Sequence, residues 1–366
     1  MADPITSLQV LGGRQFGGAD QFYVRLVRAL HGAGQPVTAV NRAGTPVAKE
    51  LAAEPIEQIH LPMVNGWDLW SMWRLRKLAL SRGPCIVQTY MGRATRLTRL
   101  PPKGNAVHIA RLGGYYKIDG YYRHAHAWVG NTRGICDYLI KEGLPARRVF
   151  LIGNFVPDAI ALETGEKDTL REQHEIPPDA LVLLALGRLI GKKGFDDLLH
   201  ALAALPTEFG GRPLILVIVG DGPLAGALKH LCTELGLDAR VRWLGWRNPP
   251  DPYYALADAF VCPSRHEPLG NVILEAWNYG LPVVSTASFG AVELIEDGTT
   301  GLLCPCADPA QLAEKLREML DSPEKDRQAL AGAGRQTLLV RYSRKAILKA
   351  YLELYGRLLE ERGLRG

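Results

Sequence analysis

The chain has 366 residues, 47% hydrophobic and 22% charged, more than a single core accommodates comfortably, so two domains are expected. No run approaches the roughly 20 apolar residues of a membrane span, and MADPITSLQVLGG lacks the cationic-then-apolar start of a secretory signal, so the expectation is a soluble, cytoplasmic protein. The net charge of +5 is uneven: residues 1–155 carry 20 Lys/Arg and 9 Asp/Glu, residues 156–366 carry 23 and 29.

A basic first half favours anionic partners, a lipid surface or an acidic glycan. Aromatic interleaving of the kind that grips bases is not evident, so no nucleic acid is expected. Six scattered cysteines, with only Cys304 and Cys306 close-set, form neither a disulfide framework nor a zinc spacing.

In chain order, SLQVLGG reads as a first strand. Gly17-Gly18 then leads into a helix capped near Asp20, and glycines at this turn let a phosphate or an acceptor hydroxyl approach. PVTAVN and IEQIHLP follow as strands. NGWDLWSMWRLRKLALSR holds three of the seven tryptophans with Arg74, Arg76 and Lys77; its apolar positions spread round the helical wheel, which favours a partly buried helix over a membrane-surface one. CIVQTY, AVHIARL, AWVGN and VFLIGN complete the first series, with His108 expected to be buried inside its strand. The polar, Pro-bearing segment PDAIALETGEKDTLREQHEIPPDA places the interdomain connection near 156–178.

A second series runs through LVLLALGRL, LILVIVG, VRWLGW, AFVCPS, PVVST and GLLC. Continuous apolar strands alternating with helix-length segments predict an α/β protein of two doubly wound Rossmann-like domains facing across a cleft, with ligands beyond the carboxyl ends of the strands. The domains are expected at 1–160 and 161–343, the last helix, about 344–366, packing back on the first.

Two loops of the second series carry chemistry. LLALGRLIGKKGFDDLL ends a strand at Gly187 and sets Arg188 and Lys193 around a turn closed by Gly194, so two cations can bracket a diphosphate without a metal. The glycine spacing is not that of a Walker A loop, and GDGPLAG reads as a packing turn. In RHEPLGNVILEAWNYG a loop runs into a helix whose first N–H groups, at Gly270, Asn271 and Val272, suit a phosphate. Glu275, about one and a half turns in, can accept from both hydroxyls of a ribose-like diol, and Glu267 faces the group beyond the phosphates.

GRLIGKKG, VIVGDGP, VRWLGW, EPLGNVILEAWNYGLPVV and ELIEDGTTGLLCP, in this order between about Phe150 and Leu320, resemble the family 4 retaining glycosyltransferases of the two-domain GT-B fold. The first half resembles them through Gly17-Gly18, the alternation of elements and VGNTRGICDYLI. The resemblance implies that Arg188 and Lys193, near Gly187, hold the donor diphosphate and Glu275 the ribose. Glu267 would contact the transferred sugar, backbone from Gly270 to Val272 would add phosphate donors, and Arg247 would line the base pocket. It further implies a UDP- or GDP-sugar donor, no cofactor or metal, and a glycan or lipid-linked acceptor, such as lipopolysaccharide core, taken by the basic first domain at the inner face of the cytoplasmic membrane. Relatives often carry a histidine on the loop that here runs from Ala110 to Tyr116. Gly113 stands at or beside its place, which makes Arg111 and Gly113 acceptor-side candidates and leaves the departing diphosphate to take the acceptor proton. Phe289-Gly290 stands where relatives often have Gly-Gly. A nucleotide-sugar epimerase of the same architecture, needing carboxylates in the first-domain loops, and a non-catalytic glycan- or nucleotide-binding protein are the other readings.

Overall fold

The computed structural model describes residues 3–14 and 16–365, which divide into one compact unit of Met1–Phe155 with Ser343–Gly366 and a second of Val156–Tyr342. In the first unit, β1 (Ser7–Leu11), β2 (Val37–Asn41), β3 (Glu57–His60), β4 (Cys85–Tyr90), β5 (Ala106–Leu112), β6 (Ala127–Gly130) and β7 (Val149–Leu151) form a parallel sheet in the order β3-β2-β1-β4-β5-β6-β7. β1, β2, β4, β5 and β6 are buried along their whole length while the edge strands β3 and β7 are not, as helices on both faces require. The order reverses between β1 and β4, the switch point at which such sheets leave room for ligands.

The closing helix Arg344–Glu360 buries Ile347, Tyr351, Leu354, Tyr355, Leu358 and Leu359 in this unit's core. Polar pairing fixes its position. Tyr355 donates from its hydroxyl to Gln88 (2.8 Å) and accepts from Gln9 (3.3 Å); Gln88 donates to the Tyr90 hydroxyl (2.8 Å), which donates to Gln9 (2.9 Å). Two glutamines inside apolar strands are thereby satisfied in a ring that closes only when the helix is docked.

His108, wholly buried on β5, lies beside His124, with ring centroids 5.5 Å apart, and its backbone N–H donates to His126 Nδ1 (3.0 Å). Burial, then mutual repulsion, holds His108 well below the usual imidazole range; burial and Arg362 bring His126 down to about 4. A depressed folded-state pKa stabilises only above the unfolded value, so stability is expected to fall as the pH drops from about 6.5 to 4, by about 1.4 kcal/mol per pH unit for His108 alone. Urea titrations across this range check it; a flat profile contradicts the burial of these rings.

The tryptophan-bearing segment is a partly buried helix, as expected, but its indoles are not the part that is covered. It forms the helix Leu69–Ser81, but only Ser71, Leu75 and Ala79 are buried, while Trp67, Trp70 and Trp73 are exposed. A wheel shows which residues share a face but not which faces find a neighbour.

In the second unit, β8 (Leu181–Leu186), β9 (Glu208–Phe209), β10 (Arg212–Val219), β11 (Val241–Gly245), β12 (Ala259–Cys262), β13 (Val283–Thr286) and β14 (Leu302–Cys304) build the order β11-β10-β8-β12-β13-β14. All pairs in that path are parallel; β9 joins β10 as a short antiparallel hairpin partner. The doubly wound expectation holds for both units. No disulfide joins the cysteines, five of which are buried.

Candidate functional site

β8 and β12 lie side by side at the switch point of the second sheet, Ala259 beside Leu183 and Phe260 beside Leu184. The loops that leave their carboxyl ends therefore meet, although far apart in sequence. After β8 come Gly187 and Arg188, a 3-10 turn Gly191–Lys193, and Gly194 at φ 62° opening the helix Phe195–Ala203. After β12 the chain runs through Arg265-His266-Glu267 to Gly270, at φ 88°, which caps the helix Asn271–Asn278.

Lys193 Nζ donates to Glu267 Oε2, and the two side chains are only 20% and 14% exposed. Burial alone would lower the ammonium pKa, but the Glu267 carboxylate outweighs it and leaves the pKa above its usual value. Lys193 is thus a fixed, desolvated positive charge at the strand ends. Burial, then Glu267, pushes the Cys262 thiol upward, so it stays neutral beside the pair. The pairing was not legible in either loop alone, since each residue was expected to face a ligand and not the other.

Arg265 ties the loops together. Its Nε donates to Asp197 Oδ2 (2.8 Å) and its Nη2 to Asp196 Oδ2 (2.6 Å) and Asp197 Oδ1 (2.7 Å), while Nη1 donates to the Gly191 carbonyl (3.2 Å). The hydrogen bond to Asp197 is the main reason its pKa lies above the usual guanidinium value. His266 N–H to Lys192 O (3.1 Å) and Gly290 N–H to Glu267 O (2.7 Å) complete the frame. Sequence reasoning missed Arg265; its signal was the Asp196-Asp197 pair just beyond Gly194 and Phe195, waiting for a forked donor.

Glu275 sits on the second turn of Asn271–Asn278, and its Oε2 accepts from the Tyr254 hydroxyl (3.0 Å). Tyr254 is buried and stacks on Tyr279 (centroids 5.5 Å), whose hydroxyl donates to Asp251 (2.6 Å) and accepts from Ile160 N–H (2.9 Å). The carboxylate is therefore oriented by a rigid aromatic pair, another feature absent from the sequence reading. The backbone N–H groups of Gly270 and Val272 have no hydrogen-bond partner among the described residues, as a helix amino-terminus leaves them. Asn271 is engaged elsewhere.

Arg188 is exposed and has no side-chain partner among the described residues, so the structure unites Lys193 with Glu267 but does not tie Arg188 to them. Arg247, exposed after β11, acts with burial to keep the His174 pKa low, burial being the larger cause. GDGPLAG is a packing turn: a Cβ on Gly220 would stand 1.9 Å from the Gly187 carbonyl oxygen, and one on Gly222 2.5 Å from that of Leu189. Among the described residues no group of three or more His, Cys, Asp or Glu is placed to hold a metal.

In the first unit, Gly17 and Gly18 are exposed at the start of the helix Gly18–Gly32, with Gly17 N–H donating to Asp20 Oδ2 (3.0 Å). Arg111 differs from expectation. It lies within β5, not on the loop, is 3% exposed, donates to the Tyr351 hydroxyl (3.1 Å) and to Asn154 Oδ1, and stacks on Phe22 at 3.9 Å. Its guanidinium anchors the closing helix, because a cation inside a sheet must be spent on buried partners. Gly113 follows β5, and a Cβ there would lie 3.5 Å from Asn131 Nδ2. Among the described residues, the carbonyl oxygen of the buried Asn131 side chain and Asp20 Oδ1 have no hydrogen-bond partner.

Residues 166–337, which span all the loops of the Lys193–Glu267 pair and Glu275, match the family described as glycosyl transferases group 1. The lipopolysaccharide core biosynthesis glycosyltransferase LpsE of Rhizobium meliloti (strain 1021) is 34% identical over 92% of this chain and 95% of its own length. A glycosyltransferase crystal structure from Rickettsia africae ESF-5 superposes with a TM-score of 0.86 at 21% identity, covering 98% of this chain and 99% of that one. Anabaena Alr3699/HepE, solved in complex with UDP-glucose, gives 0.78 at 20% identity over 95% and 98% of the two chains. With a third of its residues shared with LpsE along almost the whole length, and the family match falling on the loops that build the site, this chain belongs to the glycosyl transferases group 1 family.

Proposed function

We propose that the protein is a retaining, metal-independent glycosyltransferase that moves a sugar from a UDP- or GDP-sugar to a hydroxyl of a glycan or lipid-linked acceptor of lipopolysaccharide core type. The observation that carries this reading is the meeting of Lys193 and Glu267 at the carboxyl ends of β8 and β12, beside a helix amino-terminus with unpaired N–H groups at Gly270 and Val272. A diphosphate lying on that helix end gains the Lys193 charge without further rearrangement, and Arg188 is unencumbered and can add a second. Glu275, held by Tyr254, takes the ribose diol; Glu267 holds Lys193 and faces the sugar; Arg247 borders the base. LpsE and the UDP-glucose complex of HepE support the acceptor and donor classes respectively.

In the reaction the bond from the anomeric carbon to the diphosphate oxygen breaks, with its electron pair leaving on the diphosphate. The acceptor oxygen bonds to the same face of that carbon, and its proton passes to the departing diphosphate. Negative charge grows where the lysine is already fixed, so the protein need not reorganise as the transition state forms. The basic first unit takes the acceptor, with its anionic-lipid surroundings, at the inner face of the cytoplasmic membrane.

A panel of nucleoside diphosphates in thermal unfolding tests the donor side. One of them is expected to stabilise the protein, by about 2.7 kcal/mol at a concentration 100 times its dissociation constant. Equal shifts from every diphosphate and from inorganic pyrophosphate, or none at all, overturn the reading.

A further inference from the structure

The helix Leu69–Ser81 packs on the core through Ser71, Leu75 and Ala79, each one turn from the next, with Met72 and Leu78 partly buried beside them. The opposite side of the helix and the turn that leads into it stand in solvent: Trp67 is 73% exposed, Leu69 72%, Val64 56%, Trp73 54% and Trp70 53%. Cations are laid against these rings. The guanidinium of Arg96 sits 3.7 Å from the Trp67 centroid, Arg74 5.9 and 6.0 Å from Trp70 and Trp73, and the Lys77 ammonium 5.3 Å from Trp73. Arg76, Arg99 and Lys103 are exposed as well.

The surrounding sequence carries no opposing charge. Residues 69–118 contain ten Lys/Arg and no Asp or Glu. Asp68, just before, is spent as the helix cap, accepting from Ser71 N–H (2.9 Å), the Ser71 hydroxyl (2.7 Å) and Val64 N–H (3.1 Å). Three exposed indoles ringed by unneutralised cations are costly in water and well matched to one environment. Indoles settle at the headgroup level of a bilayer, and each adjacent Lys or Arg gains about 1 kcal/mol near an anionic surface.

We infer that this face, Trp67, Trp70, Trp73, Arg74 and Lys77 with Leu69, is where the protein lies on an anionic bilayer, flat and without crossing it. Among the described residues no helix is long and apolar enough to span a membrane, so attachment by this unit is peripheral. A second copy of the chain is a poorer occupant: the same patch turned on itself sets Arg74, Arg76 and Lys77 against their own copies with no carboxylate between. The inference deepens the proposed function, resting on it for its purpose of bringing the protein to a lipid-linked acceptor, while the surface itself is read independently of the donor site.

The test uses the full chain and sedimentation with vesicles of phosphatidylcholine alone or with about 30 mol% phosphatidylglycerol. Binding to the anionic vesicles, weakening as salt rises, is expected, with a blue shift of tryptophan emission. The triple variant Trp67→Ala, Trp70→Ala, Trp73→Ala is expected to lose at least about tenfold in vesicle affinity. Arg74→Glu with Lys77→Glu should abolish the preference for anionic lipid. All these side chains are exposed, so each variant should keep its melting temperature and its stabilisation by nucleoside diphosphate, which shows that it is folded. Absence of wild-type binding, equal binding to neutral vesicles, or unchanged binding of the triple variant overturns the inference. So does concentration-dependent self-association that the triple variant abolishes while no vesicle binding is seen, since the face then belongs to a second copy. Vesicle binding without any nucleotide stabilisation leaves this surface standing and removes the transferase reading instead.

Discussion

Lys193→Ala is expected to lower nucleoside diphosphate release from the donor by about 10²–10³-fold in kcat, the usual cost of removing one fixed donor from a site where negative charge develops. The size follows from where the charge sits. The ammonium is 20% exposed and retains its proton because Glu267 outweighs burial, while Arg265, at the same loop junction, is already spent on Asp196, Asp197 and the Gly191 carbonyl. Truncation also strands the Glu267 carboxylate, itself 14% exposed, and should cost about 1–3 kcal/mol of stability. The two effects separate in a double variant. Lys193→Met with Glu267→Gln leaves no uncompensated charge and should recover most of the lost stability while turnover stays down. Recovery of both together, or a single variant within about threefold of wild-type kcat, would remove Lys193 from the chemistry.

Much of the fold was readable because its rules are local. Strands buried on both faces read as unbroken apolar runs, as in LVLLAL and LILVIV, and thirteen of the fourteen strands among the described residues carry such a run or a β-rich edge. The exception, Glu208–Phe209, has two residues and exists through its hairpin with β10, which no periodicity reveals. The turn at Gly194 and the helix start at Gly270 were readable for a similar reason, because few other residues tolerate φ of 62° or 88°.

What escaped was long-range. Lys193 and Glu267 are 74 residues apart and meet only because β8 and β12 are neighbours. Arg265 finds Asp196 and Asp197 by the same adjacency, and Tyr254 reaches Glu275 across two elements. Arg111 shows the opposite error. A charged residue at the end of AVHIARL looks like the start of a loop, yet the return of a helix from residues 344–360 supplies Tyr351 to bury it. The tryptophan helix was legible as partly buried, but not which of its sides is covered: its apolar positions spread round the wheel, and only the packing shows that Ser71, Leu75 and Ala79 are buried while the indoles are not.

Gly194→Ala should be among the most damaging single-methyl changes in the second unit. The added Cβ would stand 2.1 Å from the Pro263 carbonyl oxygen and 3.3 Å from Asp197 Oδ2, and the residue would have to hold φ at 62°. The left-handed backbone costs a non-glycine residue about 1–2 kcal/mol, and the contact is with backbone, which cannot turn aside as a side-chain end can. A loss of about 3 kcal/mol or more in urea unfolding is expected. The displacement also has a direction. Pro263 follows β12 directly, so pushing it away carries Arg265 and Glu267 with it, loosening the grip on Asp197 and drawing the carboxylate off Lys193. Folded variant should therefore bind nucleoside diphosphate more weakly, not merely be scarcer. Gly191→Ala, three residues earlier, meets nothing within 4 Å and does not need a left-handed backbone, so it should stay within about 0.5 kcal/mol of wild type. If the two variants behave alike, the close approach of the β8 and β12 loops is not what holds the site, and the pairing of Lys193 with Glu267 loses its structural basis.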